Sequence, residues 1–235
     1  MKLPSPHELL ELWERGSRLH PLDQGLLALR AGLPDGSPEI VADWPLGRRN
    51  RALLEQHSAC FGSRLQAWVE CTACGEKMEF EVDAQAVLDR SGPPPPQDAT
   101  VEVDGHSLRL PTSRDLAQAA RETDPAEGAM CIVRTCCVDQ APGVWTAEDL
   151  IAAGTAMASA DPLAELRLAL ACPGCGNVQE ETLDPVTFVW SELGTLAKRL
   201  LHDVHTLAAA YGWSEQEILN LSDFRRSQYV QRVHA

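Results

Sequence analysis

Two Cys-x-x-Cys-Gly turns constrain this chain more than any other feature: Cys71-Thr72-Ala73-Cys74-Gly75 and Cys172-Pro173-Gly174-Cys175-Gly176. The two-residue spacer lets both sulfurs of one tight turn reach the same point. Glycine after the second cysteine permits the positive φ that turns backbone N–H groups toward those sulfurs. Each turn lies between strand-like segments. Before the first turn, Leu65, Ala67 and Val69 alternate with polar residues in RLQAWVE, 64–70; after it, Met78, Phe80 and Val82 do so in KMEFEV, 77–82. LAELRLALA, 163–171, precedes the second turn with Leu163, Leu166, Leu168 and Leu170 as its apolar members, and a short strand follows to about Leu183.

Two such knuckles supply four thiolates, the tetrahedral set of a structural Zn²⁺ site. A compact zinc ribbon separates its cysteine pairs by ~15–20 residues, and here about a hundred intervene. The reading is therefore a split four-cysteine zinc ribbon, with Cys71, Cys74, Cys172 and Cys175 on one zinc ion. The halves span 64–83 and 163–184, and the insertion between them spans 84–162. Four thiolates close the metal to water and substrate, which points to folding rather than catalysis. A redox dithiol or two metal-free turns are the competing readings. A thioredoxin-like dithiol would open a helix, and neither pair is followed by a helical pattern. Lys77 could offset the charge of the thiolates, or simply be solvated.

The remaining segments read mostly as helices, so the fold class is α+β. In the N-terminal region, 1–63, helical spacing runs through Leu9 to Trp13 and Leu22 to Leu29. A loop carries Gly32, Pro34, Gly36 and Pro38, and a third helix runs from about Arg48 to Cys60, ending at Gly62. Arg48, Arg49 and Arg51 read most simply as a solvated basic face. The insertion offers a short helix at 84–89 and an exposed connector at Pro93–Pro96. An Asp104-Gly105 hairpin follows, with Val101 and Val103 before it and Leu108 and Leu110 after. Three helices complete it: one capped by Thr112 or Ser113, one over 126–139 and one over 146–160, the last two separated by Pro142-Gly143. In the C-terminal region, 185–235, a long helix runs from Pro185 to Tyr211 with a stripe through Val189, Leu193, Leu200 and Leu207. Gly212 ends it, a capping box at Ser214–Glu217 starts another helix, and Ser222 or Asp223 caps the last. Cys60, Cys131, Cys136 and Cys137 lack ligand spacing and read as buried apolar thiols.

Composition narrows the function. The 235 residues carry 20 Lys+Arg against 34 Asp+Glu, a net charge of -14, and 44% of the residues are hydrophobic. That excludes wholesale disorder and argues against binding phosphate backbones or anionic membranes, while it suits a basic protein partner. No apolar run approaches the ~18–20 residues of a membrane helix. The N-terminus lacks an apolar signal core, so the expected location is the cytoplasm of the host cell, where thiols stay reduced. No nucleophile elbow, phosphate-cradling glycine loop or metallohydrolase helix motif is visible, and the six tryptophans are scattered. The chain is expected not to be an enzyme.

The second knuckle is followed by LDPVTFVWSEL and by RLLHDVHTLAAAYGWSEQEILNLSDFRRSQYV. Together with HPLDQGLLAL, WPLGRRNRALLEQ and VDGHSLRLPTSRDLA further upstream, this resembles the zinc-knuckle proteins of contractile phage tails and contractile injection systems, similar to T4-type baseplate hub assembly chaperones. The resemblance implies a non-enzymatic role in baseplate assembly or structure, with hub, baseplate or spike proteins as partners and possible incorporation into the particle. Trp213, Ile218, Leu221, Phe224 and Tyr229 beside Arg225 and Arg226 could then form an aromatic–basic docking surface, or else a self-contained helical cap. Two rival readings remain. One is a nucleic-acid-binding zinc-ribbon regulator, which would need a basic stripe where the knuckle offers Glu70, Glu76, Glu79 and Glu81. The other is a metalloenzyme using His202 and His205.

Overall fold

The apolar stripe of the C-terminal half organises the molecule. In a computed structural model describing residues 4–33, 38–139 and 145–234, this stripe forms α9 (Pro185–Tyr211), a helix about 40 Å long. Asp184 caps its start with its carboxylate on the Val186 N–H, and left-handed Gly212 ends it. Four helices precede the first knuckle: α1 (Pro6–Gly16), α2 (Pro21–Gly32), α3 (Pro38–Ala42) and α4 (Leu46–Phe61). Of these, α1, α2 and α4 pack along α9. Their core joins Leu9, Leu29 and Leu53 to Val189, Leu193 and Leu200. Two short helices, α10 (Glu215–Leu219) and α11 (Asp223–Val233), fold back against the same rod. α2 runs on through Gly32 and α3 begins at Pro38, so helix flanks the expected loop closely; its residues 34–37 lie outside the described residues.

The hairpins follow the alternation in the sequence. β1 (Arg64–Glu70) pairs antiparallel with β2 (Lys77–Asp83), Ala67 opposite Phe80. β5 (Leu166–Ala171) pairs with β6 (Val178–Leu183), Leu168 opposite Glu181. The second hairpin starts later than the alternation suggested. Leu163 is fully buried in a turn rather than in a strand, because Asn50 Nδ2 binds its carbonyl at 2.8 Å and ties it to α4. Each hairpin is a separate two-stranded sheet. The inner ends meet in one cluster, where Leu65, Leu163 and Leu183 join Leu54 of α4 and Val87 and Leu88 of α5 (Ala84–Arg90).

The insertion forms a satellite core. β3 (Thr100–Val103) and β4 (His106–Arg109) flank the Asp104-Gly105 turn, where both residues have positive φ. Beyond them lie α6 (Ser113–Ala119), α7 (Pro125–Cys136) and α8 (Ala147–Ala160). Val103, Leu108, Val133, Cys136, Trp145 and Met157 fill the space between these elements. α7 ends at Cys136, earlier than expected, because Cys137 leaves the helix to bridge to Leu108. The Pro142-Gly143 break lies outside the described residues. Asp115 closes the start of α6: it accepts from the Thr112 N–H at 2.8 Å and from both Arg109 guanidinium nitrogens at 2.7 and 2.8 Å.

The start of α4 joins the satellite to the rod. Leu46 N–H donates to Pro111 C=O at 3.0 Å, and Gly47 N–H to Asp161 Oδ2 at 2.8 Å. Arg49 binds Asn50 Oδ1 and Ser113 Oγ, and Asn50 reaches the Leu163 and Ala164 carbonyls. This corrects the basic face expected there. Arg49 is only 4% exposed, Arg51 turns inward to the Leu88 and Gly92 carbonyls, and Arg48 lies over the Trp44 ring. Hydrogen bonds spread over 113 residues of sequence separation are invisible to local charge patterning.

Candidate metal centre

Each knuckle is built by the same backbone turn. Cys71 N–H donates to Glu76 C=O and Gly75 N–H to Cys71 C=O, both at 2.8 Å; Cys172 with Asn177, and Gly176 with Cys172, repeat the pattern at 2.8 and 2.9 Å. Gly75 and Gly176 close the two turns at φ +74° and +75°, a conformation that costs other residues strain. This is the geometry that the Cys-x-x-Cys-Gly spelling calls for.

Residues of both hairpins share two apolar clusters, Leu65 with Leu183 and Met78 with Leu170, and the turns come together. Cys71 Sγ lies 3.6 Å from Cys175 Sγ, and Cys74 Sγ 3.7 Å from Cys172 Sγ, although the paired residues are 104 and 98 apart in sequence. All four sulfurs lie within 4.8 Å of one another. A tetrahedron with metal–sulfur bonds of ~2.3 Å has edges of about 3.8 Å, so the donor set fits a single ion; a disulfide would need ~2.05 Å. All eight cysteines are free thiols. Cys71 and Cys172 are buried with Met78, while Cys74 and Cys175 face outward.

The backbone supplies the compensating dipoles. N–H groups of Ala73 and Cys74 point at the Cys71 sulfur and hold its thiol down at about 6. The Glu76 N–H favours the Cys74 thiolate, yet the crowd of sulfurs led by Cys175 pushes that thiol up to about 12. At the matching position of the other turn the Asn177 N–H favours the Cys175 thiolate, while Cys71, burial and Cys172 leave it above its ordinary value. Without a cation four sulfurs cannot all be charged, and a divalent ion relieves that repulsion. Lys77 does not serve here: its ammonium lies 3.7 Å over the Trp68 ring.

Two residues that sequence reasoning missed hold the turns in register. Gln179 Oε1 accepts from the Thr72 N–H at 2.9 Å, and its Nε2 donates to Glu70 C=O at 3.1 Å and to Glu181 at 2.7 Å. Asn177 Nδ2 reaches Thr72 Oγ1 at 3.3 Å and the Cys71 sulfur at 3.9 Å. A signal existed: β6 places Gln179 and Glu181 at inward positions where β2 places Met78 and Phe80.

The other sequence candidates are dispersed. Ile218 is fully buried and Arg226 is 5% exposed, paired with Asp203 at 3.0 Å and Asp223 at 2.6 Å. Both are committed to seating the C-terminal cap on α9, which corrects their placement on a docking surface. Trp213 stacks on Tyr211, with Tyr229 edge-on to both, Leu221 is half-buried, and only Phe224 and Arg225 of the set stand fully in solvent. His202 and His205 are exposed; His202 stacks on His234, and neither joins a metal-capable cluster of three or more side chains among the described residues. Of the remaining cysteines Cys136 alone is buried; Cys60, Cys131 and Cys137 are half-exposed, so the expectation of buried thiols is met at one of them. No helix among the described residues is long and apolar enough to cross a membrane. Protein-family models, curated proteins and solved structures yield no match to the chain.

Proposed function

We propose that Cys71, Cys74, Cys172 and Cys175 hold one structural Zn²⁺ ion, and that the chain works without catalysis as a baseplate or hub assembly protein of a contractile tail-like system. The observation that carries the metal reading is the convergence of four sulfurs from two distant hairpins at tetrahedral spacing. Zinc suits a four-thiolate, closed set, and the ion would supply folding energy by joining the ends of the insertion. The role in a tail rests on the resemblance of the knuckle and YGWSEQEILNL segments. The fold is compatible with it: a rigid rod of helices, a metal-pinned pair of hairpins and a satellite core present several surfaces to partners. Carboxylates at Glu70, Glu76, Glu79 and Glu81 favour protein contacts over a phosphate backbone.

Two experiments test the parts separately. Purified chain is expected to carry one zinc, and Cys172→Ala to lose it together with several degrees of melting temperature; full occupancy and unchanged melting in that variant contradict the shared site. Affinity capture from cells assembling a tail should recover hub or spike proteins. Recovery of nucleic acid instead, with a salt-dependent gel shift, favours the regulator reading.

A further inference from the structure

We propose that the outer face of the β1–β2 hairpin is a docking surface for an arginine-bearing segment of a partner protein. The inference rests on the reading of the chain as a binding module and names the partner's chemistry. In the register of this hairpin Trp68 stands opposite Glu79, and Gln66 opposite Glu81, all four pointing away from the core. Between these two cross-strand rows runs an open slot of about 480 Å³, floored by the Ala67–Phe80 pair.

Trp68 is 53% exposed, an uncommon state for so large an apolar side chain. Lys77, from the next row toward the knuckle, already lies over its ring, so the ring is placed to take a cation. Lys77 is not among the residues that line the slot. Glu81 accepts a hydrogen bond from Gln66 at 3.1 Å, whereas the exposed Glu79 carboxylate has no hydrogen-bond or ion-pair partner among the described residues. The Trp68 ring and the free Glu79 carboxylate, neighbours in one cross-strand row on the same wall of the slot, match a guanidinium. Its plane can stack on indole while its paired N–H groups grip the carboxylate, and an ammonium cannot do both. The net charge of -14 favours the approach of such a segment.

The test is calorimetric titration of the zinc-loaded full chain with acetyl-Thr-Arg-Thr-Arg-Thr-Arg-amide and its lysine counterpart at ~0.15 M salt, where weak long-range attraction is screened. The arginine peptide should bind about fivefold or more tighter than the lysine one. Trp68→Ala and Glu79→Gln should each weaken it about tenfold, and Glu215→Gln on α10 should leave it unchanged. Both substituted side chains are exposed, and retained zinc and melting temperature confirm the fold. Equal affinity for the two peptides, no effect of Trp68→Ala, an equal effect of Glu215→Gln, or no saturable binding overturns the proposal. A chain that lacks zinc yet binds through Trp68 and Glu79 supports the surface while contradicting the metal reading.

Discussion

At the scale of single residues, burial decides what a charge does. Asp115 and Arg109 show this. Burial alone would raise the Asp115 carboxyl; the two Arg109 hydrogen bonds and those from Thr112 outweigh it and leave the group at about 2. An unfolded aspartate titrates near 3.9, so the unfolded chain binds the extra proton in acid. The stabilisation is therefore complete above about pH 4 and lost as pH falls through about 2, and its size is on the order of 2 kcal/mol. Asp115→Asn should lower stability by that order at neutral pH and remove this part of the acid slope, as read by urea unfolding from pH 2 to 7. A variant as stable as the parent at pH 7 would show that the pair contributes nothing. The cysteines were legible because their chemistry is spelled locally. Gln179 and Arg49 were not, because their partners lie 107 and 64 residues away.

At the scale of elements, periodicity carried the reading and tertiary hydrogen bonds corrected it. α9, both knuckle hairpins and the Asp104-Gly105 turn follow from apolar spacing and glycine placement. The late start of β5 and the early end of α7 follow from contacts with α4 and β4, which no window of sequence contains. The joint at the start of α4 is the clearest instance. Pro45 offers no side-chain cap, and Asp161 from the end of α8 provides one on the Gly47 N–H. The fit is so close that a Cβ on residue 47 would collide with Asp161 Oδ1. Gly47→Ala should therefore force the carboxylate away and cost about 1–3 kcal/mol. Chemical denaturation measures this, and an unchanged midpoint would mean that the joint absorbs the methyl freely.

At the scale of the whole molecule, the four-cysteine cluster brings together parts that the chain keeps far apart. The helical rod has its own core, and the insertion has another. Between them the two hairpins depend on few apolar residues near the knuckles, chiefly Met78 with Val69 and Leu170. A small apolar cluster of this kind gives little stability of its own, which is why the four sulfurs matter. The sequence carried the pairing of the knuckles across the insertion, since each turn has the same strand–knuckle–strand frame. It did not carry the relative placement of rod and satellite, which rests on the polar joint at α4. X-ray absorption at the zinc edge of the purified chain reads the ligand shell of the proposed ion itself. One zinc per chain with four sulfur neighbours at ~2.3 Å is expected. A shell containing nitrogen or oxygen donors, or a chain without zinc that retains eight titratable thiols, would contradict it.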